Sequence, residues 1–250
     1  MNGRKTVNFI SPVLMFVFLF GGWEALVRIL EIPKWLLPMP SAVFASMIAN
    51  FGEFLPHILM TIGTVLPGFI IAVPLGLLLA SIITSSKIVS GALSPYITFL
   101  VTTPLITLVP LLMLIMGYGM NVRVVTVIIQ SFAVVNMNAC TGFLNVPLMR
   151  TELMQSLGAS RLQAYFRMML PSAAADIFTG IRLSAIFATT ACISAEYVGG
   201  NTGLGSQIIK YSQFLKTAES FACIFYVAII GLAMYGLISL AQRKILSWKI

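Results

Sequence analysis

Residues 150–171 read R-T-E-L-M-Q-S-L-G-A-S-R-L-Q-A-Y-F-R-M-M-L-P, and this polar segment lies between two long apolar stretches. Its first part predicts a short helix with Thr151 as the N-cap and with Leu153, Met154 and Leu157 on one apolar face. Gly158 is expected to end or bend that helix. The segment is therefore predicted to be structured, and a structured loop between two spans indicates a docking function.

The second part of the segment predicts another helical stretch, which begins near Ser160. Its apolar side chains recur every three or four residues, while Arg161 and Arg167 remain available to water. Leu170 and Pro171 are expected to break this helix before the next apolar stretch. The apolar positions are Leu162, Tyr165, Phe166 and Met169.

The composition of the chain is that of a membrane protein. Of its 250 residues, 59% are hydrophobic and only 9% are charged, whereas soluble domains average about 25% charged residues. The net charge of +8 comes from basic residues in short segments between apolar runs. Such residues orient membrane helices, so nucleic-acid binding is not expected.

Six apolar segments are long enough to cross a bilayer as helices. The sequence thus predicts an all-α membrane protein, with residues 1–250 forming a single transmembrane domain and residues 144–176 forming the loop between spans 4 and 5. The predicted spans are residues 9–30, 58–84, 89–116, 122–143, 177–197 and 221–240.

The distribution of lysine and arginine predicts that both termini are cytoplasmic. With the N-terminus inside, ten basic residues fall on the cytoplasmic side and five fall outside, which places the 144–176 loop in the cytoplasm. The inner ones are Arg4, Lys5, Lys87, Arg150, Arg161, Arg167, Arg182, Arg243, Lys244 and Lys249, and the outer ones are Arg28, Lys34, Arg123, Lys210 and Lys216.

The segment resembles the signature loop of binding-protein-dependent ABC importer permeases, which reads E-A-A, three residues, G, nine residues, I-x-L-P. Glu152, Gly158 and Pro171 stand at the spacings of that pattern. Leu153 and Met154 replace its two alanines and Met168 replaces its isoleucine, which leaves open which ATPase fits. Without the resemblance, an amphipathic helix on the inner membrane surface explains the segment equally well.

The resemblance extends over nearly the whole chain, through L-L-P-M-P-S-A-V, T-T-P-L-I-T-L-V-P-L-L from Thr102, and A-E-Y-V-G-G-N-T-G-L-G from Ala195. These stretches are similar to the importer branch for sulfonates, taurine, nitrate and thiamine-precursor pyrimidines. The resemblance implies a coupling helix that docks on an ATPase. The implied coupling residues are Glu152, Leu153, Met154, Gln155, Ser156, Leu157, Gly158, Ala159, Leu170 and Pro171.

The resemblance also implies the partners and the location of the chain. A cytoplasmic ABC ATPase dimer, an external solute-binding protein, a second permease copy and membrane lipid are the expected partners, in the bacterial plasma (inner) membrane. The chain lacks the phosphate loop G-x-x-x-x-G-K-[ST]. ATP and magnesium are therefore expected on the partner ATPase, with no cofactor on this chain, which is not itself predicted to be an enzyme.

Polar side chains inside the predicted spans are candidates for the translocation path. We select Thr103, Gln130, Asn138 and Glu196, with hydrogen bonding between helices as the alternative for the first three. Glu196 either lines an outer gate, pairs with Lys210 or Arg123, or lies at headgroup level in contact with water.

Two other functional classes compete with an importer permease. A secondary transporter usually has repeat symmetry and ionisable residues near the midplane, and neither is evident here. A membrane-embedded enzyme needs clustered acids or histidines, and the chain has a single histidine, His57. The predicted function is import of a small polar solute, with anions included, driven by a partner ATPase.

Overall fold

The computed structural model describes residues 2–246, and within that range the regular structure is entirely helical. Lys249, one of the basic residues used for orientation, lies outside the described residues. The α-helices are α1 (Asn2–Ile29), α2 (Pro40–Ala49), α3 (Phe51–Ile83), α4 (Lys87–Thr102), α5 (Leu105–Met116), α6 (Met120–Leu144), α7 (Leu148–Ser156), α8 (Arg161–Ala164), α9 (Leu170–Gly199), α10 (Leu204–Gln213) and α11 (Thr217–Ile245).

The long helices match the predicted spans in position. Within the described part of the chain, four helices are long and apolar enough to cross a membrane: α3, α6, the continuous helix Arg161–Gly199, and α11. The pair α4 and α5 adds a fifth if the two are counted as one span. Helix α1 covers most of the first predicted span, residues 9–30.

The third predicted span, residues 89–116, is not one straight helix. It is divided into α4 and α5, which are bent by 101° relative to each other. The break lies at Thr103, whose backbone is extended with ψ of 125°, because the ring of Pro104 disfavours the helical conformation in the preceding residue. Pro110 lies inside α5 and causes no comparable break.

Helices α3, α6 and α9 form the centre of the bundle, and small residues let them approach closely. A side-chain carbon on Gly68 would lie 2.5 Å from the Cγ1 atom of Val127, and one on Gly76 would lie 2.7 Å from the carbonyl oxygen of Phe132. Asn136 then donates a hydrogen bond of 3.2 Å to the carbonyl of Gly76. Close backbone packing and buried amide bonds are the usual means of association of membrane helices.

The expected break at Leu170 and Pro171 is absent, and this prediction was wrong. The chain continues as one helix from Arg161 to Gly199, with a π-helical turn at Tyr165–Met169. The N–H of Leu170 bonds to the carbonyl of Tyr165, five residues earlier. This wider turn directly precedes Pro171, where it relieves the clash that a proline ring makes with the preceding turn of an α-helix.

Candidate functional site

The loop at residues 144–176 exposes an apolar stripe on helix α7. Met149, Leu153 and Leu157 are four residues apart and therefore lie on one face. Their side chains are 78%, 58% and 72% exposed, and no residue of α7 is buried. Met154, which we had expected on the same face, is half-buried instead. An apolar stripe without cover indicates a surface that contacts another molecule.

Helix α7 begins three residues earlier than predicted. Pro147 is its N-cap and Leu148 its first residue, so Thr151 lies inside the helix and is not the cap. The backbone of Pro147 has φ of −59°, a value that the pyrrolidine ring imposes and that suits the entrance to a helix. The expectation that Thr151 begins this helix was therefore wrong.

Gly158 ends α7 as predicted. Its φ of +69° lies in the left-handed region that favours glycine. The N–H of Gly158 donates to the carbonyl of Gln155 over 2.9 Å, and the N–H of Ala159 donates to the carbonyl of Met154 over 3.0 Å. This pair of bonds is the Schellman motif, which satisfies the last carbonyls of a helix. It turns the chain sharply between the two helical parts of the loop.

The second part of the loop is capped and anchored to the bundle. The Ser160 hydroxyl accepts from the N–H of Gln163, and the Gln163 side chain accepts from the N–H of Ser160, so that the two form a capping box. Tyr165 then bonds to Ser81 of α3 over 2.7 Å and packs its ring against Phe143 of α6. Through Tyr165 the loop is joined directly to the ends of two core helices.

Between α7 and the end of α3 the packing is loose. A cavity of about 440 Å³ separates them, lined by Ser81, Thr84, Thr151, Gln155 and Tyr165 among others. Because α7 has no buried residue and borders this cavity, its position is set mainly by the turn at Gly158 and by the anchored helix that follows.

At the opposite end of the Arg161–Gly199 helix, Glu196 is fully buried in a hydrogen-bonded cluster. Its carboxylate accepts from the Thr61 hydroxyl at 2.9 and 3.0 Å and from the N–H of Gly205 at 2.8 Å. The Thr61 hydroxyl in turn accepts from the N–H of Leu204 over 3.0 Å. We call Glu196, Thr61 and the turn at residues 200–205 the Glu196 cluster.

Two further side chains bind the same turn from neighbouring helices. His57 accepts through its Nδ1 atom from the N–H of Gly203, and Arg123 donates to the carbonyl of Thr202 over 3.0 Å. Gly203 has φ of +100°, and a Cβ atom there would lie 2.2 Å from the carboxyl carbon of Glu196. Only glycine fits that position, because the carboxylate occupies the space of a side chain.

Two of the three expected environments of Glu196 do not describe this cluster, and the role at an outer gate stays a prediction. The residue is 0% exposed, so it does not lie at headgroup level in contact with water. Among the described side chains, the one ion pair with a nitrogen–oxygen distance below 4 Å joins Arg28 and Glu24. Glu196 therefore forms an ion pair with neither Lys210 nor Arg123. In this conformation Glu196 holds a turn and does not line a water-filled path.

The other three predicted path residues are distributed over α4–α5 and α6. Thr103 is half-buried at the break between α4 and α5 and donates to the carbonyl of Phe99. Gln130 is buried, and its side-chain oxygen has no hydrogen-bond partner. Asn138 is half-buried and donates to the carbonyl of Val134 in its own helix. The structure does not bring these residues together with Glu196.

Sequence analysis missed a polar stripe on helix α9. Thr179, Thr190, Ser194 and Tyr197 are spaced so that they share one face. Thr190 and Tyr197 are exposed, and the other two are partly exposed. Their helical spacing is readable in the printed sequence, but Glu196 is the one residue of this span among the predicted path residues.

The fold and these features define a helical membrane transport protein with one structured loop between its spans. The family of binding-protein-dependent transport system inner membrane components matches residues 72–247, more than half of the chain. The chain belongs to this family, the permease subunits of ABC transporters.

Individual relatives agree with the family match over nearly the full length. The formylaminopyrimidine transport permease protein ThiX of Halalkalibacterium halodurans is 25% identical over 98% of this chain and 98% of its own. The taurine transport system permease protein TauC of Escherichia coli is 26% identical over 90% of this chain and 85% of its own. The riboflavin transport system permease protein RibX of Chloroflexus aurantiacus is 27% identical over 96% of this chain and 89% of its own.

Solved structures share the fold. A chain from the crystal structure of an amino acid ABC transporter aligns with a TM-score of 0.66 and 23% identity, covering 80% of this chain and 98% of that one. A chain of the MetNI methionine ABC transporter in an inward-facing conformation aligns with a TM-score of 0.58 over 76% of this chain and 91% of its own. At these identities the likeness concerns the fold alone.

Proposed function

We propose that this chain is the translocating subunit of an ATP-driven importer and that the 144–176 loop docks on a cytoplasmic ATPase dimer. The observation that supports this proposal is the exposed stripe of Met149, Leu153 and Leu157 on α7. The turn at Gly158 joins α7 to the helix Arg161–Gly199, which runs across the bundle to the Glu196 cluster. An ATPase that covers the stripe and moves α7 therefore acts on α9 through that turn and the continuous helix that follows it.

The membrane arrangement follows from the same proposal. All six predicted segments cross the bilayer as one domain, with the bent α4–α5 pair as the third span and both termini in the cytoplasm. ATP and magnesium bind to the ATPase and not to this chain. A solute-binding protein delivers the cargo at the end of the bundle where the Glu196 cluster lies.

A second copy of the chain completes the path. The polar stripe of Thr179, Thr190, Ser194 and Tyr197 lies uncovered on the surface of one protomer, where lipid is a poor neighbour for polar groups. Two copies that face each other through this stripe enclose a polar passage. Thr103 and Asn138, both partly exposed, are further candidates for its wall.

The cargo we propose is a small polar solute of the kinds named for the relatives. Taurine and formylaminopyrimidine stand in the names of two of them, and the resemblance of the sequence adds other sulfonates and nitrate. A secondary transporter remains the alternative function, and it requires no ATPase. The two are separated by whether uptake depends on a docked ATPase.

The docking proposal is tested by placing a charge in the stripe. We expect Leu153→Glu to reduce ATP-driven uptake in proteoliposomes by more than about tenfold, because an unpaired charge buried in an interface costs about 2–5 kcal/mol. Gln155→Glu is the matched control, since it adds the same charge to the same helix outside the stripe. The resemblance includes Gln155 in the coupling segment, but its side chain lines the cavity beside α3, so this variant is expected to retain uptake.

The measurement is uptake together with co-purification of the ATPase. Loss of both in Leu153→Glu, with both kept in Gln155→Glu, supports docking through the stripe. Equal uptake by the two variants and the wild type contradicts it. Uptake that persists when the ATPase is omitted favours the secondary transporter.

A further inference from the structure

A cationic cavity lies between α9 and α11, away from the loop stripe and from the Glu196 cluster. Its volume is about 510 Å³, within the range of pockets that hold small ligands. Two arginines line it and no carboxylate does. The lining residues that matter here are Ala175, Arg182, Tyr235, Ser239, Gln242 and Arg243.

The polar groups of this cavity have unused hydrogen-bonding capacity. The Nε atom of Arg182 and the side-chain oxygen of Gln242 are both buried without a partner. The guanidinium of Arg182 makes one bond, from Nη2 to the Thr179 hydroxyl over 3.2 Å, and lies 5.6 Å from the centre of the Tyr235 ring. Buried polar groups in native proteins normally have partners, so the unpartnered Nε–H donor of Arg182 indicates a ligand with an acceptor atom. The Gln242 oxygen is itself an acceptor and gains no partner from an anion.

We propose that the cavity binds an anionic phosphate group. A guanidinium presents its N–H groups as a planar fork that matches two phosphate oxygens, and Arg243 adds a second positive charge at the rim. The NH₂ group of the Gln242 amide can donate to a further phosphate oxygen. The Ser239 hydroxyl also lines the cavity, but it already donates to the carbonyl of Tyr235 over 2.8 Å.

The depth of the cavity in the bundle favours a phospholipid headgroup over a soluble phosphate. Arg182 lies 17 residues before Gly199 on one helix, which corresponds to about 26 Å along its axis. The hydrocarbon layer is about 30 Å thick. In the orientation of the proposed function, on which this step depends, Arg182 is therefore at the cytoplasmic boundary of that layer.

The surface beside the cavity agrees with a lipid. Leu232 lies within one turn of Tyr235, on the side of the membrane interior, and is 67% exposed. A lipid with its phosphate on Arg182 places its acyl chains along such a surface. A free phosphate gains nothing from this leucine.

The test uses the full-length permease in nanodiscs and requires neither ATPase nor cargo. One set of discs contains the phosphate-free lipid digalactosyldiacylglycerol alone, a second also contains phosphatidylglycerol, and a third contains digalactosyldiacylglycerol with inorganic phosphate in the buffer. Native mass spectrometry counts retained lipid, and thermal unfolding reports stabilisation. Arg182→Gln is compared with Lys244→Gln, which removes the same charge from the end of α11 outside the cavity.

We expect phosphatidylglycerol to raise the unfolding midpoint of the wild type and to be retained. Arg182→Gln should lower that retention by about tenfold, as expected for the loss of a charge-assisted hydrogen bond of roughly 1.4 kcal/mol, and Lys244→Gln should not. Protection by inorganic phosphate instead of phosphatidylglycerol still supports a phosphate site, with a soluble source.

Two results overturn the proposal: no protection by either phosphate source, or equal retention in Arg182→Gln and Lys244→Gln. If Arg182→Gln does not fold, Arg243→Gln at the exposed rim takes its place, with the same expected direction. Phosphate binding is measured without ATP, so a negative result in this test does not contradict the proposed importer function. A negative result in the docking test likewise does not contradict phosphate binding.

Discussion

Thr61 is the residue that joins α3 to the turn after α9. Its hydroxyl donates to the Glu196 carboxylate and accepts from the N–H of Leu204, so both of its hydrogen-bonding roles are used at a position that is 0% exposed. A buried hydroxyl that serves two partners is expensive to remove, because both partners then lose a bond in a medium that offers no water.

We expect Thr61→Val to destabilise the protein by about 2–4 kcal/mol, since it leaves the buried N–H of Leu204 without its partner and removes the Thr61 hydrogen bond from the buried Glu196 carboxylate. Thr64→Val is the matched control. Thr64 lies one turn away on the same helix and is equally buried, but its hydroxyl donates to the carbonyl of Met60, four residues earlier in its own helix, over 3.0 Å. Its loss should cost less than about 1 kcal/mol.

The measurement is the free energy of unfolding, or the shift of the thermal midpoint, of both variants in the same detergent. A comparable loss in the two variants contradicts the assigned role of Thr61. It would mean that the volume of the side chain, and not its hydrogen bonds, matters at this position.

Local features of single residues were predictable, and distant partners were not. Gly158 and Ser160 act through bonds to residues within five positions of themselves, so the pattern of the loop was sufficient to predict them. The partner of Glu196 is Thr61, 135 positions away, and no sequence spacing connects the two. The buried position of Glu196 depends on the packing of three helices, which composition does not determine.

At the scale of elements, the contact between α3 and α6 depends on a ladder of small residues. Gly68, Ala72, Gly76 and Ala80 recur every fourth position of α3, and all four are buried. The ladder is visible in the printed sequence, but the spans were predicted from overall hydropathy, which does not indicate which helix packs against these small residues. A new carbon at Gly76 has the least room to be accommodated, since its nearest neighbour is a backbone carbonyl oxygen of α6, whereas the nearest neighbour at Gly68 is a side-chain carbon.

We expect Gly76→Ala to destabilise the bundle by about 1–3 kcal/mol, the usual cost of forcing an extra carbon into a well-packed contact. Gly63→Ala is the control on the same helix, because the nearest atom to its new carbon is 4.0 Å away, at the end of the Met120 side chain. That variant should be neutral or slightly stabilising, as alanine favours helix over glycine by up to about 1 kcal/mol.

Thermal unfolding of the two variants in detergent is the measurement. Equal midpoints for Gly76→Ala and Gly63→Ala would show that α3 and α6 are farther apart than the structure places them.

Prolines had different effects on different elements, and sequence alone did not separate them. Pro104 divides the third span because Thr103 adopts an extended backbone before it. Pro171 does not interrupt its helix, because the π-helical turn at Tyr165–Met169 precedes it. The difference arises from how the neighbouring helices hold the residues before each proline, which is a tertiary effect. The order of the long apolar helices, by contrast, follows from length and hydropathy, while the described residues contain four helices long and apolar enough to cross a membrane, or five with the bent pair. The number of six spans stays a prediction.

At the scale of the whole molecule, the proposed dimer assigns one exposed surface of the protomer to water and another to lipid. The exposed surface of the protomer contains both a mixed stripe on α9 and an apolar one on α11. Thr190 is exposed on the first, and Leu232 is 67% exposed on the second. If two copies enclose the path between their α9 stripes, Thr190 is in contact with water and Leu232 is in contact with lipid, although both are exposed in a single protomer.

We therefore expect Thr190→Cys to react with a charged, membrane-impermeant thiol reagent at least about tenfold faster than Leu232→Cys, because thiols react as thiolates and lipid suppresses ionisation. Cys140 is half-buried, so it is replaced by serine in the background, while Cys192 and Cys223 are buried and are left in place. Cargo that binds in the passage should slow the labelling of Thr190→Cys alone. Fast labelling at both positions, or at Leu232→Cys only, would place the passage elsewhere. The α9 stripe would then be an ordinary lipid-facing surface whose hydroxyls bond within their own helix, as Thr190 does to the carbonyl of Phe187.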